Sequence, residues 1–293
     1  MSRDLALTLA GGGNRAFYQL GLLDRWWDRL ADRVGIISSC SAGACMAVIF
    51  LSGRRRETYD YWVRRKAHVQ RNFEWWRLLR GQRPTPHYPI YRDTVRFALA
   101  DGGFDRLRAQ AFPVIVLVAA PPRWLPIPVS VPLGLAVYSL ERALRPGHLH
   151  PGAGRRLGFR PIAVDLRSSP TPEAAADLVL ASSATPPFTP LGSVEGRPVM
   201  DGGLVDNAPA FVAEQHGPWH HHLVVLTRKY PDRSIGRRGT RWYVCPSERV
   251  PADRWDYTRL EPVAETIALG ERDGASRRAE LVSWLTDEPV PVL

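Results

Sequence analysis

The chain has 293 residues, of which 45% are hydrophobic and 23% are charged, and this composition excludes a disordered or fibrous protein. Its 39 Lys and Arg residues exceed its 29 Asp and Glu residues, and the formal net charge of +10 allows nucleic acid, an anionic membrane or an acidic protein as a partner. The cysteines Cys40, Cys45 and Cys245 show neither paired nor zinc-ligand spacing, so we expect no disulfide, no bound metal and a cytoplasmic location.

The N-terminal region predicts two successive strand–turn–helix units. Leu5–Ala10 is a short apolar run that ends in a glycine-rich turn, and Ala16–Leu30 carries apolar residues at helical spacing. Val34–Ser39 is a second apolar run, which is followed by a sharp turn and the apolar helix Ala44–Leu51. Asp4 lies close to the start and no cleavage site follows a basic leader, so we expect no secretory signal.

Basic and aromatic residues alternate between Arg54 and Arg83, and their three- and four-residue steps predict a helix or a pair of helices with one apolar face. The apolar residues of this face are Tyr59, Trp62, Val63, Val69, Phe73, Trp76 and Leu79. Such a face usually packs on the protein's own core, but tryptophan beside arginine also suits a lipid headgroup interface, and both interpretations stay open. Zinc-finger spacing, an RNP-type strand and a basic zipper are absent from the sequence, so we expect no nucleic-acid partner.

The remaining elements favour a layered α/β fold. Pro113–Ala119 is a continuous apolar run typical of a strand buried on both faces of a parallel sheet, and Pro161–Leu166 and Leu223–Thr227 are similar candidates. The alanine-rich segment Thr171–Ala181 between them predicts a helix. Strands that alternate with helices indicate an α/β architecture, and without a clear linker we expect a single domain over residues 1–293.

A segment rich in proline and glycine, Pro121–Gly158, interrupts this alternation. Its prolines and Arg123 break the apolar stretch Phe112–Leu140, which we therefore reject as a membrane span, because spanning requires about 20 uninterrupted apolar residues. Its apolar residues lack strand periodicity. We interpret the segment as an insertion that forms a lid or a membrane-contact surface, or that packs on the sheet.

Three motifs carry candidate chemistry. The first is Gly11–Arg15, whose three glycines precede a helix and expose backbone N–H groups that can hold a phosphate or an oxyanion. A dinucleotide site would need an acidic residue at the end of the next strand, and the serine-rich sequence there disfavours it. The second is Ser41, a serine on a predicted tight strand-to-helix turn, which suits a nucleophile or, alternatively, a helix cap.

The third motif is Asp201-Gly202-Gly203, which is followed by Asn207. Serine is a poor nucleophile until a base takes its proton, and Asp201 is the candidate base. A solvated turn is the alternative, and the chain contains a comparison, Asp101-Gly102-Gly103, which follows Leu99-Ala100 and predicts a helix terminator.

Together, these ordered motifs resemble the patatin-like phospholipase family, from Leu5 to Phe211. The resemblance implies a three-layer α/β/α fold with a mostly parallel central sheet, and hydrolysis of lipid acyl esters by a Ser–Asp dyad without a cofactor or metal. It assigns Ser41 as the nucleophile, Asp201 as its base and Gly11, Gly12 and Gly13 to the oxyanion hole. The supporting residues would be Arg15, Gly43, Gly202, Gly203 and Asn207. Ser39 and Ala16 replace glycines of the family pattern, which would alter turn geometry without removing a reacting group.

Other functions remain open at this stage. A Ser–Asp–His triad would use His216 or His220–His222, although the Gly-Pro neighbours of this cluster predict a solvated loop; we also place His148 and His150 at the surface. Acyl transfer to an alcohol uses the same acyl-enzyme, and a non-catalytic lipid-binding protein could retain the fold. We expect a lipid ester as substrate and peripheral contact with an anionic membrane surface, and the residues specify no oligomeric state.

Overall fold

Helices and strands alternate along most of the chain in the computed structural model, which describes residues 3–287. The strands are β1 (Leu5–Leu9), β2 (Val34–Cys40), β3 (Val114–Ala120), β4 (Arg160–Asp165), β5 (Gly192–Val194), β6 (Arg197–Asp201), β7 (His221–Val225), β8 (Gly236–Arg238) and β9 (Arg241–Val244). The α-helices are α1 (Phe17–Leu30), α2 (Ala42–Leu51), α3 (Arg55–Lys66), α4 (His87–Leu99), α5 (Gly103–Arg108), α6 (Ile127–Leu144), α7 (Ala153–Arg156), α8 (Pro172–Ala181), α9 (Ala210–Glu214), α10 (Glu261–Ser276) and α11 (Arg278–Thr286). Short 3-10 helices are Gly13–Ala16, Trp75–Arg80, Leu166–Ser168, Gly202–Leu204 and Asp232–Ser234.

The centre of the sheet is parallel. Strands β3, β2, β1, β7 and β9 are neighbours in that order and pair in parallel. Antiparallel pairs occur at the margins, where β4 and β6 pair with β3, β5 pairs with β6, and β8 pairs with β9. The carboxyl ends of the parallel strands meet at one edge, so the segments after β1, β2 and β7 lie together there.

Helices cover both faces of this sheet. Successive side chains of a strand point to opposite faces. On one face, Leu5, Leu7 and Leu9 join a buried apolar cluster with residues of α1, α2, α4, α8, α10 and α11. On the other face, Ala6 and Ile36 join a second cluster, against which α6 and α9 pack. The predicted three-layer α/β/α fold with a mostly parallel sheet is therefore confirmed.

The predicted strand at Pro161–Leu166 exists as β4, but it is not a buried parallel strand. It pairs antiparallel with β3, and its residues are exposed or half-buried. Ile162 and Val164 pack against the core, whereas Arg160, Pro161 and Ala163 are exposed. An apolar run of this length is therefore compatible with burial on one face, and the prediction of two buried faces is wrong.

The segment between Arg54 and Arg83 divides into two parts with different environments. Its first part is α3, where Trp62 is buried and Tyr59 and Val63 pack against the core. Its second part contains the 3-10 helix at Trp75–Arg80, which buries none of its residues. Packing on the protein's own core is therefore observed for α3, whereas the side chains of Trp75–Arg80 are not buried.

The insertion Pro121–Gly158 contains a long helix that its prolines and glycines did not predict. Pro128 lies in the first turn of α6 and Pro132 lies inside it, where each lacks an N–H donor. One side of α6 packs on the second cluster through Val131, Leu135 and Tyr138. Val129, Leu140 and Leu144 remain exposed. In residues 3–287, no helix combines the length and apolar character that crossing a bilayer requires.

Candidate active site

Ser41 lies at the tight turn between β2 and α2. Its backbone has φ 51° and ψ −132°, a conformation that serine rarely adopts and that aims the side chain out of the turn. Ser41 is only 9% exposed, and it lines a pocket of about 60 Å³. Its hydroxyl makes no cap hydrogen bond to α2, so the alternative of a simple helix cap is wrong.

Two small residues flank Ser41, Ser39 in β2 and Gly43 in α2, and the structure accommodates them in different ways. A Cβ on Gly43 would lie 2.3 Å from the carbonyl oxygen of Leu9, so only glycine lets α2 approach the end of β1 this closely. Ser39 replaces the first glycine of the family pattern, and its hydroxyl donates to the carbonyl of Ile115 on β3 over 3.1 Å. The turn therefore accommodates Ser39 by bonding its side chain to the neighbouring strand.

Asp201 ends β6 directly opposite Ser41. The Ser41 hydroxyl donates to Oδ2 of Asp201 over 2.8 Å, and the backbone N–H of Gly203 donates to Oδ1 over 2.7 Å. Burial raises the pKa of Asp201 above its ordinary value, although these two bonds and the charges of Arg254 and Arg142 act to lower it. A carboxylate whose pKa is raised and which is bonded to a serine hydroxyl can accept the proton of that hydroxyl.

The two Asp-Gly-Gly turns differ in environment, as predicted. Asp101 is 78% exposed at its side chain and pairs with Arg54 after the end of α4, so this copy is a helix terminator. A Cβ on Gly202 would lie 2.2 Å from the carbonyl oxygen of Leu117, which shows that the second copy is pressed against β3. Only the second copy lies beside Ser41.

Ser182 connects Ser41 to Asp201 and was not singled out from the sequence. Its hydroxyl accepts from the Ser41 backbone N–H over 2.8 Å and donates to the carbonyl of Leu117 over 2.7 Å. The carbonyl of Ser182 accepts from the N–H of Gly202, and that of Ala184 accepts from the N–H of Asp201. The sequence contained one indication of this role, the Ala-Ser-Ser-Ala run that begins at the last residue of α8. A short run of small residues at a helix end allows the close packing that is observed here.

The glycine-rich turn after β1 is held by Asn207 and Thr227. The Asn207 side chain donates to the carbonyl of Gly11 over 3.0 Å, and the Thr227 hydroxyl donates to the same carbonyl over 2.8 Å. The N–H of Gly11 donates to the carbonyl of Asn207 over 2.9 Å. This pairing occupies the N–H of Gly11, so Gly12 and Gly13 are the better placed glycines to face a ligand. Gly13 has φ 59° and lines the same pocket as Ser41.

Arg15 is half-buried beneath this turn, and its Nε lies 3.4 Å from the carbonyl oxygen of Gly12 as a weak hydrogen-bond donor. Burial lowers its pKa to about 10, and the charges of Arg254, Arg142 and Arg228 contribute to the decrease. Arg15 therefore braces the glycine-rich turn through this contact, and its surroundings are cationic.

The pocket beside Ser41 is mainly apolar. Its lining includes Phe17, Met46, Ile49, Trp62, Tyr91 and Tyr257. His87 also lines it, and its Nε2 lies 2.7 Å from the carbonyl oxygen of Trp255, which requires the Nε2–H tautomer for a hydrogen bond. Burial lowers the pKa of His87, so this histidine is held neutral. His87 was missed because its sequence neighbours follow no catalytic motif.

The histidines considered for a triad lie elsewhere. His221 and His222 are buried in β7, so the prediction of a solvated loop is wrong for these two residues. His222 contacts the Thr8 hydroxyl over 2.7 Å. His216 contacts the carbonyl of Val212, and His220 is exposed. Within residues 3–287, none of the hydrogen bonds of Ser41 or Asp201 involves a histidine.

The remaining site predictions have mixed outcomes. His148 is exposed as expected, but His150 is half-buried, with Nδ1 2.9 Å from Asp206 and Nε2 2.8 Å from the Tyr243 hydroxyl. Its placement at the surface was therefore wrong. Cys40, Cys45 and Cys245 are buried free thiols. In the described part of the chain, no cluster of His, Cys, Asp and Glu is arranged to hold a metal ion.

Comparisons with known proteins identify a family and likenesses to solved structures. A family model described as patatin-like phospholipase matches residues 7–214. Among solved structures, VipD from Legionella pneumophila is similar at 12% identity and a TM-score of 0.44; the match covers 94% of this chain and 66%, just under two thirds, of that chain. No curated protein matches the sequence.

Proposed function

Because the chain belongs to the patatin-like phospholipase family, a family of lipid acyl hydrolases, we propose that it cleaves fatty-acyl esters through Ser41 and Asp201. The observation that carries this proposal is the 2.8 Å hydrogen bond from the Ser41 hydroxyl to the half-buried Asp201 carboxylate, at the wall of an apolar pocket. A nucleophile, a base and a space for an acyl chain are thus adjacent.

In the first step, Oδ2 of Asp201 takes the proton of the Ser41 hydroxyl while Oγ attacks the ester carbonyl carbon. The C–O bond to the alcohol then breaks, and Asp201 gives the proton to the leaving alkoxide. A solvated aspartate is a weak base, and the burial that raises the pKa of Asp201 makes it a stronger one. Its second oxygen stays bound to the N–H of Gly203, which fixes the carboxylate in the attack geometry.

Gly12 and Gly13 supply the proposed oxyanion hole. Negative charge develops on the carbonyl oxygen as Oγ attacks, and preorganised N–H donors contribute about 3–4 kcal/mol each to its stabilisation in comparable sites. Gly11 serves a different purpose in this scheme, because its N–H and carbonyl are bonded to Asn207 and Thr227 and hold the turn in place. Arg15, Gly43, Gly202 and Gly203 act as supporting residues.

A water molecule completes the cycle. Asp201 takes a proton from the water as its oxygen attacks the acyl carbon, and the bond between that carbon and Oγ then breaks. The proton returns to Oγ, and the fatty acid leaves. An alcohol in place of water would give acyl transfer with the same balance of atoms.

We also propose that the segment around Trp75–Arg80 contacts the membrane surface. Trp75, Leu78 and Leu79 are each more than half exposed, and Arg77 and Arg80 lie among them. Exposed apolar side chains gain free energy in the interface, and arginines attract anionic headgroups. Arg83 lines a groove with the first turns of α6, so the start of this helix, where Val129 is exposed, lies near this segment.

The decisive experiment for the reaction compares the wild type with Ser41→Ala. A fluorophosphonate probe should label Ser41 in the folded wild type, and mass spectrometry of products from mixed lipids should show fatty acids that disappear in Ser41→Ala. Ser168→Ala, at an exposed serine distant in sequence from both motifs, is the matched control and should keep both signals. Absence of labelling in folded protein would favour a lipid-binding role, and esters formed from an added alcohol would favour acyl transfer.

A further inference from the structure

A second cavity adjoins the glycine-rich turn and is cationic. Gly13 lines the apolar pocket, whereas Gly11 and Asn207 line this second cavity. Arg15, Arg142 and Arg228 project from its wall. None of its described lining residues is an aspartate or glutamate. The two cavities thus meet at the turn proposed to hold the oxyanion.

The three arginines come from separate parts of the fold. Arg15 follows β1, Arg142 belongs to α6 of the insertion, and Arg228 follows β7. Neutral groups orient two of them: Arg142 donates to the Tyr138 hydroxyl over 3.1 Å, and Arg228 donates to the carbonyl of Pro146 over 2.8 Å. None of the three takes part in an ion pair found within residues 3–287. Their charges are therefore not neutralised by neighbouring carboxylates.

The guanidinium groups of Arg15, Arg142 and Arg228 repel one another when no anion lies between them. Burial is the largest cause that lowers the pKa of Arg15 to about 10, and repulsion from the charges of Arg254, Arg142 and Arg228 adds to the decrease. A dianion between the guanidinium groups would remove that repulsion. Planar guanidinium groups match phosphate oxygens in paired hydrogen bonds better than any other side chain does.

The cationic surface continues outward from this cavity. Arg15 and Arg228 also line a neighbouring groove with Lys229, Arg249 and Arg259, where Asp253 is the acidic residue. An anionic group approaching from solvent would therefore meet positive charge before it reaches the glycine-rich turn, which favours its entry.

We propose that Arg142 and Arg228, with Arg15, bind a phosphate monoester and make the enzyme selective for lipids that carry this doubly charged headgroup over zwitterionic lipids. The inference rests on the proposed function for its catalytic consequence. With the headgroup phosphate in the cationic cavity, the acyl chain of the same lipid can enter the apolar pocket across the turn. A choline group carries a positive charge, so the arginines oppose its entry.

Competition within one vesicle isolates this selectivity. Vesicles that contain phosphatidic acid and phosphatidylcholine in equal amounts present both lipids to the same bound enzyme, so differences in membrane binding cancel. We expect the wild type to hydrolyse phosphatidic acid at least about tenfold faster, since one lost charged hydrogen bond corresponds to about that factor. Arg142→Gln and Arg228→Gln should each lower this ratio several-fold, and Arg228→Lys, which keeps the charge but loses the paired hydrogen bonds, should retain part of it.

Arg56→Gln is the matched control, because Arg56 is an exposed arginine of α3 and its loss changes the net charge equally. It should keep the wild-type ratio. An equal rate on both lipids in the wild type, or an unchanged ratio in folded Arg142→Gln and Arg228→Gln, would overturn the proposal.

A binding measurement separates this proposal from the proposed reaction. In the Ser41→Ala background, calorimetric titration with soluble dihexanoyl phosphatidic acid should show binding that Arg228→Gln weakens about tenfold or more. This result stands even if the hydrolase assignment fails. Titration with inorganic phosphate identifies the source of the anion: weaker binding than the lipid supports a headgroup, and equal binding supports a site for free phosphate. Binding of neither anion would refute the site.

Discussion

Replacing Asp201 by asparagine would separate its role as a base from its structural role. Asparagine keeps an oxygen that can accept from the N–H of Gly203, a contact of 2.7 Å in the wild type. At the other position, an amide would replace the carboxylate oxygen that accepts from the Ser41 hydroxyl over 2.8 Å. The amide can no longer take the proton of Ser41, while the shape of the site is preserved.

The size of the effect follows from this single lost function. A positioned general base contributes a factor of about 10² to 10⁴ to the rate, which corresponds to about 3–5 kcal/mol of transition-state stabilisation.

The folding stability of Asp201→Asn should not decrease with its rate. Because folding raises the pKa of Asp201 above 3.8, the stabilisation present with the protonated carboxyl is lost as the pH rises through the folded-state pKa. The neutral amide avoids that loss, so the Tm at pH 7 should stay level or rise.

Initial rates on a soluble short-chain ester and thermal unfolding, both measured across pH 4 to 9, test this expectation. The wild-type kcat/KM should fall on acidification with a midpoint above 3.8, because the raised pKa of Asp201 sets the protonation of the base. Asp101→Asn is the matched control from the second Asp-Gly-Gly turn, where the exposed side chain pairs with Arg54. It should keep wild-type kcat and the wild-type pH profile.

Two results would refute the reasoning. If folded Asp201→Asn kept its rate within about twofold of the wild type, Asp201 would not be the base. If its rate and its Tm fell together, the carboxylate would be needed for folding, and the loss of activity would no longer identify a proton acceptor.

The remaining expectations concern positioning, packing and the excluded histidines. Ser182→Ala should lower kcat about tenfold with little change in KM, because the Ser41 N–H loses its acceptor, and Ser182→Thr should restore part of the rate. Gly43→Ala should lower the free energy of unfolding by about 1–3 kcal/mol in thermal melts, because its Cβ would meet the Leu9 carbonyl, while Gly152→Ala, in open space, should not. His222→Ala should destabilise the fold by about 1–3 kcal/mol but keep kcat; lost turnover in folded protein would revive the triad. Trp75→Ser with Leu79→Ser should weaken vesicle binding about tenfold relative to the exposed control Val282→Ser, and an equal loss on a soluble ester would instead indicate a folding role.

Local chemistry made the central motifs predictable. A glycine run after an apolar strand, a serine between small residues and an Asp-Gly-Gly turn each require particular backbone conformations or close approaches. Ser41 at φ 51°, Gly13 at φ 59° and Gly43 against the Leu9 carbonyl meet these requirements in the structure. The strands β1, β2, β3 and β7 were predictable for a related reason, since long apolar runs have few alternatives to burial.

Elements whose environment depends on distant neighbours were predicted less well. Pro161–Leu166 has the composition of a buried strand, but antiparallel pairing with β3 exposes half of it. The prolines of Pro121–Gly158 suggested irregular structure, yet packing of Val131 and Leu135 on the sheet supports a helix there. His221 and His222 follow a turn sequence, and their burial results from the strands that pair on both sides of β7.

The candidate reacting residues could therefore be predicted from the order of the amino acids, because each motif encodes its own backbone geometry over a few residues. The tertiary structure alone decided which groups meet. It placed Asp201 against Ser41, inserted Ser182 between them, used the Gly11 N–H to hold the turn, and brought Arg142 and Arg228 to one cavity. These contacts join residues far apart along the chain, and their distances are set by how the sheet and its helices pack.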